Sequence, residues 1–73
     1  MDVGKRSLRR LGKRIQELRK QVGFSQEAFA LETGIARSYL SGVERGKKNV
    51  SFQTVAKIAS YLGVSISELS QGV

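Results

Sequence analysis

A chain of 73 residues makes one small domain, and a domain of this size removes only about 60% of its unfolded surface from water, enough for a single modest core. It contains no cysteine, histidine or proline, which excludes disulfide frameworks, thiolate or imidazole metal sites, and nucleophiles of either kind. The formal charge of +7 is unevenly placed: residues 1–20 carry eight Lys or Arg against Asp2 and Glu17, residues 21–44 carry Arg37 against three glutamates, and residues 45–73 carry four cations against Glu68.

In chain order, Leu8, Leu11, Ile15, Leu18 and Val22 step by three and four residues, the apolar stripe of a first amphipathic helix that Gly23 stops. Ser25 is placed to cap a second helix over residues 26–33, broken after two turns by Gly34. Ile35, Leu40 and Val43 then mark a third helix over residues 36–45, ending before Gly46. Residues 46–50 lack helical spacing, after which Ser51 caps a fourth helix with Phe52, Val55, Ile58, Ala59 and Leu62 on its inner side. Beyond Gly63, the spacing Ser65-x-x-Glu68 matches a capping box, and Ile66 and Leu69 form the apolar pair of a short fifth helix. No run alternates with period two, so the expected class is all-α, five short helices in one globule. The expected organisation is a basic, flexible arm over residues 1–7, the helical domain over 8–70 and a frayed tail over 71–73.

No apolar run approaches the roughly 20 residues that span a bilayer, and no apolar signal stretch follows the basic start. A soluble, cytoplasmic protein is expected, without cofactor, metal or small-molecule ligand. Two basic blocks around a less charged centre suit a surface whose edges hold phosphates while its middle approaches bases, or one that is merely solvated. The cluster Lys5, Arg6, Arg9, Arg10, Lys13 and Arg14 has the same two readings, as an added phosphate-binding arm or as a solvated face.

The second and third helices meet more restrictive demands than helical packing alone imposes. Counting Gln26 as one, position five is Ala30, where a steep helix crossing leaves room for only a methyl group. Position nine is Gly34, where the turn needs positive φ. Positions four, ten, fifteen and eighteen are Phe29, Ile35, Leu40 and Val43, all apolar and spaced to face one core. On Ser25-Gln26-Glu27, Ala30, Gly34-Ile35 and Glu44-Arg45-Gly46, residues 8–70 resemble the Cro and lambda-repressor type of helix-turn-helix domain, the XRE-like family. Within it, residues 37–46 followed by Lys47-Lys48-Asn49-Val50-Ser51 are similar to the controller proteins of restriction-modification systems. Phage and plasmid repressors share much of this pattern, as do antitoxins that bind a toxin and regulate their own operon.

A recognition helix enters the major groove by its N-terminal half, which makes Ala36, Arg37, Ser38 and Ser41 the candidate base readers. Arg37 is foremost among them, since a guanidinium can donate twice to guanine. Ser25 and Gln26 at the start of the second helix, with Arg45, Lys47, Lys48 and Asn49 after the third, are the expected phosphate contacts. Tyr39 either joins them, as the resemblance to controller proteins implies, or packs at the edge of the core. The resemblance further implies a buried ion pair between Arg19 and Glu44, and a homodimer on double-stranded DNA with half-sites about 34 Å apart. Tyr61, Ile66 and Leu69 are the expected dimer face, with core packing as the alternative. A membrane-active helix is disfavoured by the glycine punctuation, and no carboxylate pair, nucleophile with a base or phosphate-binding glycine loop points to an enzyme.

Overall fold

The computed structural model describes residues 3–72 and contains five helices: α1 (Val3–Gln21), α2 (Gln26–Thr33), α3 (Arg37–Glu44), α4 (Phe52–Leu62) and α5 (Ile66–Leu69). Local chemistry sets most of their ends. The hydroxyl oxygens of Ser25, Ser51 and Ser65 accept from the backbone N–H groups of Ala28, Thr54 and Glu68. Each satisfies one of the donors that a helix start leaves without an intrahelical partner. At α5 the capping box is complete, because Glu68 accepts in return from the Ser65 N–H at 3.0 Å. That backbone bond, helped by the Ser65 hydroxyl, holds the Glu68 carboxyl below the ordinary carboxylate value. A carboxylate lowered by folding stabilises the fold above its unfolded pKa and loses that effect as pH falls through the folded one, so the α5 cap weakens on acidification. Gly34 and Gly63 close α2 and α4 at φ of +74° and +73°, a conformation in which a Cβ is strained.

The first helix begins earlier than its apolar stripe suggests. Residues 3–7, expected as a flexible arm, are helical and continuous with the rest of α1, while Met1 and Asp2 lie outside the described residues. No proline interrupts them, and Lys and Arg are strong helix formers that need no core contact to extend a helix already nucleated further along. At the other end, Gln71 and Gly72 form a turn after α5 where fraying was expected, and Arg10 donates to the Gly72 carbonyl at 3.3 Å. Val73 lies outside the described residues.

The core gathers Leu11 and Ile15 of α1, Phe29 and Ala30 of α2, Leu40 and Val43 of α3, Val55, Ile58, Ala59 and Leu62 of α4, and Leu69 of α5. α1 packs against α3, α4 and α5, and α2 bridges α3 and α4, so every helix meets the same interior. Phe29 sits at its centre, with Phe24 and Tyr61 presenting edge-to-face rings at centroid distances of 5.2 and 6.5 Å. Three expectations about apolar residues are corrected. Val22 follows the last residue of α1, where the chain turns at Gly23, and is exposed. Phe52 opens α4 and is 72% exposed, because the inner side of that helix begins only at Val55. Leu69, expected at a dimer face, is fully buried: α5 has four residues, Leu69 is its only buried one, and it closes the end of the core.

Candidate nucleic-acid interface

The geometry of α2 and α3 depends on a polar knot beneath them. Arg19 near the end of α1 and Glu44 at the end of α3 are buried, and they meet side-on. Arg19 Nε donates to Glu44 Oε2 at 2.8 Å and Nη2 donates to Oε1 at 2.9 Å. The remaining guanidinium nitrogen, Nη1, donates to the Phe24 carbonyl at 2.8 Å. Gln26, the first residue of α2, donates from its amide to Glu44 Oε1 at 3.2 Å. One paired charge therefore ties α1, the loop before α2, the start of α2 and the end of α3. Its hydrogen-bonding groups are matched, as burial of charge requires. Gln26 was expected to face a phosphate; here its amide is half-buried and partly committed to Glu44, which fixes the entry of α2.

The turn between α2 and α3 has its own lock. Thr33 is buried, its hydroxyl donates to the Phe29 carbonyl at 2.8 Å, and the same oxygen accepts from the Ile35 N–H at 3.3 Å. α1 approaches α3 through Gly12. A Cβ at that position would stand 2.5 Å from the Glu44 carbonyl oxygen and closer still to that of Val43. Neither Gly12 nor Thr33 carries a signal as a functional motif. The position of Gly12 inside the apolar stripe, four after Leu8 and three before Ile15, is nonetheless the mark of a close backbone approach.

On this support α3 turns an open flank outward. Ala36, Arg37 and Ser38 are exposed and Ser41 is half-buried. Ala36 occupies the N-cap and supplies no side-chain cap, so the first N–H groups of α3 are open to an outside acceptor. Arg37 reaches back to α2, where its Nη1 lies 3.3 Å from Glu27 Oε2 with both side chains largely exposed. An exposed pair of this kind contributes about 0 to 1 kcal/mol, so it parks the guanidinium without holding it.

The cations after α3 are ordered differently from one another. Arg45 Nε donates to the Ser41 carbonyl at 3.4 Å. The alkyl chain of Lys48 lies across Gly42, whose missing side chain makes the space: a Cβ there would meet Lys48 Cγ at 2.5 Å. Lys47, Lys48 and Asn49 are exposed. Tyr39 donates its hydroxyl proton to the Asn49 carbonyl at 2.8 Å, which makes it a strut between α3 and the following turn rather than a free donor. Ser25 is exposed, its oxygen engaged by Ala28 N–H while its own proton remains available. Of the residues expected at a dimer face, Tyr61 is 44% exposed and Ile66 is partly buried against the core. No helix among the described residues is long and apolar enough to cross a membrane.

Residues 15–69 match the family model described as helix-turn-helix. The chain is 43% identical over 61 residues to Control protein C.MunI of a Mycoplasma species, covering 82% of each. It is 40% identical over 60 residues to the HTH-type transcriptional regulator SinR of Bacillus subtilis, of which it covers 54%. Among solved structures, it superimposes on the restriction-modification controller protein C.AhdI from Aeromonas hydrophila with a TM-score of 0.81 and 45% identity, over 85% of this chain and 94% of that one.

Proposed function

The chain belongs to the helix-turn-helix family of DNA-binding transcription regulators, which are not enzymes, and from that premise we propose that it acts as a cytoplasmic homodimer on a palindromic operator, as the controller protein of a restriction-modification system. The observation that carries the reading is the division of surface around α3. An exposed, loosely held Arg37 with Ala36, Ser38 and Ser41 lies on one side, and the cationic turn of Arg45, Lys47 and Lys48 follows on the other. The controller assignment draws on the similarity to C.MunI and C.AhdI, whose lengths this chain nearly spans.

In this mechanism α3 enters the major groove by its N-terminal half, and Arg37 leaves Glu27 to donate twice to a guanine. The exchange costs little, because the exposed ion pair it replaces is weak. Ser38 and Ser41 supply single hydrogen bonds, and Ala36 offers a methyl to thymine. Lys47, Lys48, Arg45 and Asn49 hold the flanking backbone, with Ser25 and Gln26 at the start of α2 holding the other side. Two copies related by a twofold axis read two half-sites about 34 Å apart. The position of the operator relative to the promoter then sets repression or activation.

Selection of bound sequences from random DNA should return a palindrome. Against that operator, Arg37→Ala should lose about 1 to 3 kcal/mol of discrimination while keeping affinity for unrelated DNA, whereas Lys47→Ala should weaken both alike. Equal loss on both DNAs for Arg37→Ala would remove its base-reading role.

With Leu69 inside the core, the proposed dimer face reduces to Tyr61 and the rim of Ile66. Sedimentation of Tyr61→Lys, with its fold checked by circular dichroism, should give a monomer. A folded dimer would move the interface elsewhere.

A further inference from the structure

The N-terminal part of α1 lies beside the turn that follows α3, and the two enclose an open groove of about 800 Å³. Lys5 and Arg9 line one wall, Arg45, Lys47 and Asn49 the other, and no carboxylate lines it among the described residues. Gly46 fixes the separation of the walls, since a Cβ on it would stand 2.6 Å from both Cα and Cγ of Arg9. The cations are thus held opposite one another by backbone packing. That arrangement opposes stability, because Arg9 on one wall faces Arg45 and Lys47 on the other, like charges across the groove.

Neighbouring cations on the same helix are employed in another way. Arg10 donates to the Gly72 carbonyl and Arg14 to the Glu68 carbonyl, so this side of α1 tethers the C-terminal turn. The basic run read in the sequence as one cluster is divided in the structure into a tethering side and a side that opens onto the groove.

We propose that the groove seats a phosphate of the DNA backbone beyond the reach of the recognition helix, with Arg9 as the added guanidinium, so that α1 lengthens the strip of backbone held by each protomer. The inference rests on the DNA-binding reading above. Charge complementarity supports it, because a phosphodiester relieves the repulsion between the two walls. Continuity supports it as well, since Arg45, Lys47 and Asn49 belong both to the groove and to the turn assigned to the flanking backbone. A backbone running along that turn passes directly into the trough that Arg9 borders.

The test is the salt dependence of binding to a random-sequence duplex and to the selected operator. Each phosphate contact contributes about −0.9 to the slope of log K against log salt. Arg9→Gln should therefore flatten the slope by about 0.9 per protomer, about 1.8 for the dimer, so that wild type loses about twelvefold more affinity than the variant between 50 and 200 mM salt. The operator-to-random ratio should stay unchanged, and Arg9→Lys should restore the slope. Arg10→Gln removes the same charge on the tethering side and should leave the slope as in wild type; thermal unfolding of each variant confirms that the fold is intact. Equal slopes for Arg9→Gln and Arg10→Gln, whether both flattened or both unchanged, would overturn the groove assignment while leaving the DNA-binding reading in place. A wild-type chain that binds neither duplex would overturn that reading itself.

Discussion

Glu44→Ala is expected to lose about 3 to 5 kcal/mol of folding stability, as removal of one partner of a buried ion pair typically does. The loss would leave Arg19 with a buried guanidinium whose Nε and Nη2 have no acceptor, and would release Gln26 from its anchor at the start of α2. A 73-residue domain has a total stability of about 4 to 11 kcal/mol, by the usual range per residue, so the variant should lose a large fraction of it. Urea titration followed by circular dichroism measures it. The cause is separable from the loss itself: Arg19→Met combined with Glu44→Leu removes both charges, and well-packed apolar replacements of a buried pair are often neutral or better. The double variant should therefore be more stable than Glu44→Ala. A loss below about 1 kcal/mol in the single variant, within the range of a surface pair, would show that the bond is not carrying the fold.

Gly12→Ala carries the second large effect, and its sign is the informative part. In an unobstructed helix interior, alanine in place of glycine adds up to about 1 kcal/mol of stability. At Gly12 the new methyl would strike the carbonyl oxygens of Val43 and Glu44, which are backbone atoms and cannot rotate away. α1 would have to lift from α3, disturbing the crossing that Arg19 and Glu44 also span, at a cost of about 1 to 3 kcal/mol or more. Gly4, on the same helix, has nothing within 4 Å of its would-be Cβ, so Gly4→Ala should be neutral or slightly stabilising. Opposite shifts in the urea midpoints of these two variants are the expected result. Equal midpoints would place no close approach at Gly12.

The contrast between these sites marks what could be read from the sequence. Caps are local, so Ser25, Ser51 and Ser65 announced three helix starts correctly. Ala30 and Gly34 sit at fixed offsets within one short segment, and family and fold followed from them. The Arg19 to Glu44 bond joins residues 25 apart and carries no local signal; only the resemblance to a known family pointed to it. Thr33 and Gly42 act through tertiary neighbours, the first by closing the turn and the second by making room for the Lys48 stem, so neither stood out. For Leu69, helical spacing identified an apolar side chain but not which of two apolar surroundings it enters. The burial of that side chain settles it. The start of α1 was missed for a different reason, because a charged helix that extends past the core has no apolar period to announce it.

The open flank of α3 has one more consequence. Ala36, Arg37 and Ser38 take no part in the core, and the residues that shape the domain stand behind them in Arg19, Glu44, Thr33 and Gly12. On the proposed reading of α3, recognition and architecture fall to different amino acids. Such a chain can drift to a new DNA target through a few outward substitutions without passing through unstable intermediates. The same separation makes it a ready chassis for engineered regulators that ignore one another's promoters.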